Sequence, residues 1–216
     1  MGDGDRQYLT GLKLGGSRVL VLVDASASML DETIVNVIRR RNMSDERKRN
    51  SPKWLRTRAT VEWIVANLPK GSKFQVYAFN TKATATAAAS HGKWLSAAWS
   101  DDLEKSINGL HATIPEGGTS LYHAFAAARG MSPRPDNIVL ITDGLPTQGR
   151  NKPRGTTVSS KQRFDNFRSA RKQLPPKVAV NTILMPMEGD MLAAFAFWGM
   201  AVDTDGSFLT PARDWP

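Results

Sequence analysis

Short apolar runs alternate along this chain with segments in which apolar residues recur every three or four positions. The runs that lack polar alternation cover residues 18–24, 74–80, 137–142 and 178–184. This composition is typical of strands that are buried on both faces, as in a parallel sheet covered by helices. Residues 83–89 are predicted to turn back against the second strand as an antiparallel edge, and residues 207–210 to form a last short strand.

The periodic segments predict helices near residues 30–41, 51–68, 101–110, 120–129, 161–173 and 190–200. Segment 191–200 is interpreted as a buried helix, because it is too short to cross a bilayer, which takes about 18 apolar residues. Since strands alternate with helices throughout, we expect one α/β domain. Ligands of such sheets bind beyond the carboxyl ends of the strands, and candidate chemistry is therefore expected there.

Composition narrows the classes of function. The chain has 216 residues and no cysteine, which excludes a disulfide framework, thiolate zinc sites and cysteine nucleophiles. Its net charge of +9 is concentrated in residues 39–58, with nine basic and two acidic residues, and in residues 150–177, with nine basic and one acidic. These segments suggest an alternative function as a module that binds nucleic acid or an anionic surface. Neither segment matches a nucleic-acid-binding motif, so that partner is not favoured.

Oxygen-bearing side chains follow three of the predicted elements. Asp24, Ser26 and Ser28 leave the first strand at a spacing of two, separated by alanines. Thr119 follows a pair of glycines, which give the backbone the freedom to approach another element. Asp143 directly follows the strand 137–142. If the two strands are neighbours, the carboxylates of Asp24 and Asp143 converge at the top of the sheet.

Two buried carboxylates side by side repel each other and lose hydration, and a hard divalent cation relieves both penalties. A donor set of oxygens alone suits Mg²⁺ or Mn²⁺, with Ca²⁺ as a further candidate, and disfavours zinc and copper. So few carboxylates leave the ion electron-poor, with at least one exchangeable position. An Asp or Glu of a protein partner would complete the coordination shell.

The three motifs DASAS, GGTS and ITDG, in this order and each behind the expected element, resemble the metal-ion-dependent adhesion site of the von Willebrand factor type A family. The resemblance implies that Asp24, Ser26, Ser28, Thr119 and Asp143 bind the metal. It also implies a Rossmann-like, doubly wound, mostly parallel six-stranded sheet with one antiparallel edge strand and helices on both faces. Members of this family bind protein ligands through the metal and generally catalyse nothing.

The resemblance divides the chain into an N-terminal extension at residues 1–17 and the domain at residues 18–216. The interval between Ser28 and Phe74 is longer than the family's usual single first helix, and a basic insertion around residues 42–51 is predicted to account for the surplus. Candidate partner contacts are the glycines beside the site, Gly118 and Gly144, and the basic residues Arg39, Arg40 and Arg41.

Two other interpretations of the oxygen residues stay open. Ser26, Ser28 and Asp143 are also residue types that cap helices and turns, although capping does not account for three coincident loops. An Asp after a first parallel strand is also the nucleophile position of haloacid-dehalogenase-like phosphotransferases. Those enzymes carry a second Asp two residues later as general acid, and Ser26 stands there instead. We therefore expect no enzymatic activity. The sequence indicates no compartment.

Overall fold

A seven-stranded sheet forms the centre of the molecule in a computed structural model that describes residues 12, 15–155, 157–212 and 215. Its strands are β1 Arg18–Asp24, β2 Lys73–Phe79, β3 Ala83–Ala85, β4 Leu95–Ser96, β5 Asn137–Thr142, β6 Ala179–Leu184 and β7 Phe208–Leu209. The order is β3-β2-β1-β5-β6-β7, and all pairs are parallel except those of β3 and β4 with β2. The α/β, mostly parallel fold is confirmed, with seven strands where six were expected. Most of the predicted N-terminal extension at residues 1–17 lies outside the described residues.

Helices cover both faces of the sheet. They are a 3₁₀ helix Ala27–Leu30, α1 Ile34–Arg40, α2 Asp45–Arg49, α3 Pro52–Ala66, α4 Ser100–Ala112, α5 Leu121–Gly130, α6 Ser160–Arg171 and α7 Ala193–Asp203. Alternate residues of β1 enter two separate cores, because successive side chains of a strand point to opposite faces. Leu20 and Leu22 pack with α5, α6 and α7, whereas Val19, Val21 and Val23 pack with α3 and α4.

The antiparallel edge is divided into two short strands, where a single strand at residues 83–89 was predicted. Strand β3 pairs with the end of β2 and β4 with its start. Between them, the buried Gln75 side chain donates hydrogen bonds to the carbonyl oxygens of Ser90 and Lys93, at 2.9 and 2.7 Å. This side chain holds the intervening loop against the sheet, in place of a continuous strand.

The helix predicted near residues 30–41 is interrupted. A 3₁₀ helix buries Met29 and Leu30, residues 31–33 break the helix, and α1 then begins after Thr33, whose hydroxyl accepts a hydrogen bond from Asn36 N. No residue of α1 is buried, so the apolar stripe predicted from Ile34 and Ile38 faces outward. The basic insertion contains a further short helix, α2, which Ser44 caps.

Helix α7 corrects the interpretation of residues 191–200 as a buried helix. Its inner face buries Ala196, Phe197 and Met200, but Phe195 is 66% exposed and Trp198 55% exposed. Because both faces of this helix are apolar, the sequence does not reveal which one packs on the sheet. No helix among the described residues combines the length and the apolar character needed to cross a membrane.

Candidate functional site

The loop after β1 places its polar side chains around one carboxylate. Asp24 is fully buried and ends β1 beside β5, its parallel neighbour. Its Oδ1 accepts a hydrogen bond from Ser26 N at 2.9 Å, and its Oδ2 accepts one from Thr142 Oγ1 at 2.7 Å. The hydroxyl oxygens of Ser26 and Ser28 are 3.0 Å apart. The three polar residues of the loop therefore lie together, at the carboxyl end of the strand.

The loop after β5 brings the second carboxylate to the same place. Ser28 Oγ donates a hydrogen bond to Asp143 Oδ1 at 2.9 Å, and Asp143 is buried. Because Ser28 also contacts Ser26, a continuous set of hydrogen bonds joins residues of the two loops. The predicted convergence of Asp24 and Asp143 at the top of adjacent strands is thus observed.

The loop that carries Thr119 contacts both of these loops through its backbone. Glu116 N donates to Ala25 O at 2.9 Å, and Ala27 N donates to Gly117 O at 3.1 Å. Thr119 is buried, and its N–H donates to Thr147 Oγ1 at 2.9 Å. All five predicted site residues therefore belong to three loops that are hydrogen-bonded to one another.

Two glycines allow this close assembly. A Cβ at Gly118 would lie 2.7 Å from Thr147 Oγ1, and a Cβ at Gly144 would lie 2.7 Å from Asp190 Oδ2. The Asp190 carboxylate accepts a hydrogen bond from Leu145 N at 2.6 Å and pairs with Arg163, also at 2.6 Å. The structure thus gives both glycines, which were predicted as partner contacts, a packing role.

The buried carboxylate of Asp24 is subject to both desolvation and repulsion by the carboxylate of Asp143. Burial, and then the neighbouring Asp143 carboxylate, raise the pKa of Asp24 from 3.8 to about 7, although hydrogen bonds from Ser26 and Thr142 oppose the rise. Within the part of the chain that the structure describes, Asp24 forms no ion pair. Its ionised form is therefore costly unless a cation compensates it.

Sequence reasoning missed one residue at this site, Lys53. Its ammonium group lies 2.6 Å from Asp143 Oδ2, and its side chain is only 1% exposed. A signal for it does exist, because Lys53 continues the buried stripe formed by Thr57, Val61 and Ile64 along α3. A lysine on the inner face of a helix indicates a buried counter-charge.

The three predicted arginines do not belong to the three-loop cluster. They lie at the end of α1, where Arg40 forms an ion pair with Asp31 at 2.8 Å and Arg39 and Arg41 are exposed. Burial alone would raise the pKa of Asp31, but hydrogen bonds from Arg40, Glu32 N and Asn36 outweigh it and lower the pKa. Four of the nine basic residues in segment 39–58 have acidic partners: Arg40, Lys48, Lys53 and Arg56.

Residues 19–145, more than half of the chain, match the sequence family described as the von Willebrand factor type A domain. This chain belongs to that family. Von Willebrand factor type A (VWA) domains are generally non-catalytic modules that mediate protein–protein interaction and adhesion. No curated protein matches this sequence.

Solved structures support the fold. A von Willebrand factor type A protein from Catenulispora acidiphila has a TM-score of 0.59 at 14% identity, over 92% of this chain and 39% of its own. BatB from Bacteroides thetaiotaomicron has a TM-score of 0.53 at 16% identity, over 92% of both chains. The pilus adhesin SpaC from Lactobacillus rhamnosus GG has a TM-score of 0.56 at 13% identity, over 96% of this chain and 29% of its own. At these identities the likeness concerns the fold alone.

The candidate ligand atoms at the top of the sheet are all oxygens, and only two of the side chains are carboxylates. Among the described residues, no three His, Cys, Asp or Glu side chains are grouped so that they could hold a metal ion. An ion at the top of the sheet would therefore depend on the hydroxyl groups of Ser26, Ser28 and Thr119 besides the two carboxylates. Such a set fits a hard cation that retains bound water, and it fits Mg²⁺ better than a transition metal that prefers nitrogen or sulfur ligands.

Proposed function

We propose that this VWA domain binds Mg²⁺ through Asp24, Ser26, Ser28, Thr119 and Asp143, and docks an Asp or Glu side chain of a protein partner onto the ion. Mn²⁺ and Ca²⁺ are the alternative ions, since both accept oxygen ligands. The ion supplies a Lewis-acidic position that a carboxylate from another molecule can occupy. The domain itself performs no catalysis.

One observation carries the proposal: Asp24 is fully buried beside a second carboxylate and forms no ion pair in the described part of the chain. A buried carboxylate without a counter-charge is unfavourable, and proteins normally neutralise or pair it. A divalent ion beside Asp24 would compensate this charge, which Lys53 does not, because Lys53 pairs with Asp143. Helix capping does not account for the serines, because the Ser26 side chain makes no capping hydrogen bond and Ser28 Oγ donates to Asp143, and it leaves the Asp24 carboxylate uncompensated.

The neutral ligands suit docking better than permanent chelation. Hydroxyl oxygens withdraw little of the positive charge of the ion, so the ion retains its attraction for a further carboxylate. Mg²⁺ prefers six oxygen ligands and usually keeps several waters, which an incoming Asp or Glu can replace. The same residues are poorly suited to phosphoryl transfer, because Ser26 cannot supply the proton that a leaving group needs at neutral pH.

Calorimetric titration with MgCl₂ tests the metal site. Wild type is expected to bind one ion, and Thr119→Ala is expected to weaken binding, because it removes only one predicted ligand. Thr84→Ala on the exposed edge strand β3 is the matched control and is expected to bind like wild type. Equal binding by Thr119→Ala and wild type would contradict this ligand set, and the absence of heat with wild type would contradict the site.

Selection of peptides on the immobilised domain tests the docking step. From a random displayed library in MgCl₂, peptides that are released by EDTA are expected to contain Asp or Glu. Replacing that residue by Asn or Gln is expected to abolish their binding. Peptides that stay bound in EDTA, or that bind equally well without their acidic residue, would contradict docking through the ion.

A further inference from the structure

The ammonium group of Lys53 is fixed at the edge of the candidate metal site. Lys53 lies in the first turn of α3, and its Nζ donates to Asp143 Oδ2 at 2.6 Å. It also donates to the carbonyl oxygens of Ser28 and Asp31, both at 3.2 Å. Three oxygens thus accept the three protons of the ammonium group, and these hydrogen bonds fix its position.

Because of Lys53, the two carboxylate oxygens of Asp143 have different partners. Oδ2 faces the ammonium group, while Oδ1 faces Ser28 and the interior of the three-loop cluster. Among the described residues, no other basic side chain forms an ion pair with Asp143 or with Asp24. The nearby acidic groups on the same side have their own partners, since Asp31 pairs with Arg40 and Glu32 with Arg56.

We propose that Lys53 is a built-in counter-cation, a positioning residue that keeps the site assembled without metal and weakens the binding of a divalent ion. The inference rests on the proposed function, because it concerns the same site. Without the ion, the ammonium group offsets the charge of Asp143. With the ion, Lys53 and Mg²⁺ together exceed the charge of the two carboxylates by one unit. This surplus positive charge favours a partner that offers a carboxylate.

The variant Lys53→Met separates these effects, because methionine has a similar length and no charge. It is expected to melt several degrees below wild type in EDTA, since the two carboxylates then face each other without a cation. In MgCl₂ most of this loss is expected to be recovered. Calorimetry is expected to show Mg²⁺ binding at least about tenfold tighter than in wild type, because the ion is no longer repelled by a buried unit charge beside its Asp143 ligand.

Binding of an acidic peptide to the Mg²⁺-loaded protein is expected to change in the opposite direction. A peptide selected on wild type should bind Lys53→Met more weakly at saturating MgCl₂, because the surplus positive charge is gone. A merely structural role of Lys53 would weaken both metal and peptide binding together. Tighter metal binding with weaker peptide binding is therefore the signature of a counter-cation.

Two further variants control for the loss of a side chain. Arg56→Met removes a cation one turn along α3 that pairs with Glu32 and with neither Asp24 nor Asp143, and it should bind Mg²⁺ like wild type. Lys53→Met combined with Asp143→Asn removes both charges, and it should be more stable in EDTA than Lys53→Met alone. If the double variant is equally unstable, packing of the lysine stem explains the effect and the inference is wrong.

The outcomes distinguish this inference from the proposed function. If wild type binds Mg²⁺ and Lys53→Met binds it equally or more weakly, the metal site stands and the role of Lys53 is wrong. If only Lys53→Met binds the ion, the role of Lys53 is supported and the metal dependence of the natural protein is wrong. If neither binds, both are wrong. A Lys53→Met protein that stays unfolded in MgCl₂ also contradicts the inference, because the ion should replace the lost charge.

Discussion

Asp24 and Asp143 look equivalent in the sequence motif, but their surroundings in the structure differ. Asp143 has the ammonium group of Lys53 at 2.6 Å, whereas Asp24 is surrounded by hydrogen-bond donors without charge. Removing the charge of Asp143 leaves a buried cation unpaired. Removing the charge of Asp24 relieves a repulsion. The two residues should therefore respond in opposite ways to the same chemical change.

We expect Asp143→Asn to destabilise the metal-free protein by about 3–5 kcal/mol, the usual effect of breaking a buried ion pair. Asp24→Asn should change the free energy of unfolding by less than about 1 kcal/mol or increase it, since the amide oxygen can accept from Ser26 N and the amide nitrogen can donate to Thr142 Oγ1. Urea denaturation in EDTA measures both values. Equal destabilisation by the two variants would contradict the assigned charge distribution.

Asp136 gives a prediction of pH dependence away from the site. Its carboxylate accepts hydrogen bonds from Ser17 Oγ at 2.6 Å and from Arg18 N at 3.0 Å. Burial alone would raise the pKa of Asp136, but these hydrogen bonds and the Arg18 guanidinium outweigh it and lower the pKa below 3.8. A lowered pKa in the folded state contributes stability above the unfolded value, and this contribution disappears as the pH falls through the folded value.

We expect Asp136→Asn to lose about 1–2 kcal/mol of stability near neutral pH, because hydrogen bonds to a charged group are lost. The difference from wild type should shrink when the pH falls below 3.8, where the carboxylate begins to be protonated in the unfolded chain. Urea denaturation of both proteins between neutral pH and pH values below 3.8 measures this difference in stability. The exposed Asp165→Asn on α6 is the control, and a difference that grows on acidification would contradict the explanation.

Among the elements, α7 shows how a helix can be apolar all round and still have one packing face. Phe197 is fully buried between α6 and the sheet, and its ring lies 5.2 Å from that of Phe167. Phe195, two residues earlier, points outward. The two phenylalanines therefore allow the same substitution to be compared at a buried and at an exposed position of one helix.

We expect Phe197→Ala to cost about 3–5 kcal/mol, because it leaves a cavity in the core. Phe195→Ala should change the free energy of unfolding by less than about 0.5 kcal/mol, as most exposed substitutions do. Thermal or urea denaturation of the two variants tests the orientation of α7. Similar losses for both would mean that the outer face of the helix is also covered.

Some helices and strands could be predicted from the sequence pattern, and others could not. Strands β1 and β5 were predicted with their full bounds, because a strand buried on both faces is uniformly apolar. The pattern could not predict the divided edge, since β4 has only two residues and the loop before it is held by hydrogen bonds from the side chain of Gln75. It placed residues 34–41 in one helix with Leu30, because helical spacing alone does not reveal that α1 lies outside the core.

For the whole molecule, the candidate site was predictable because parallel strands end at the same edge of a sheet. That rule placed Asp24 and Asp143 together from the order of elements, and the motif supplied Thr119. The rule does not apply to Lys53, which enters the site from a helix that packs beneath the loops. Its position depends on the path of α3, which local sequence does not specify.

We propose that three distant loops of this domain share one hard cation. Crystals of the wild-type protein grown with MnCl₂ can locate this ion, because the anomalous scattering of manganese identifies its position independently of its ligands. We expect one strong anomalous peak among the side chains of residues 24, 26, 28, 119 and 143, and none there in Asp24→Ala crystals grown in the same way. A fully occupied manganese site elsewhere, with none between these loops, would contradict it.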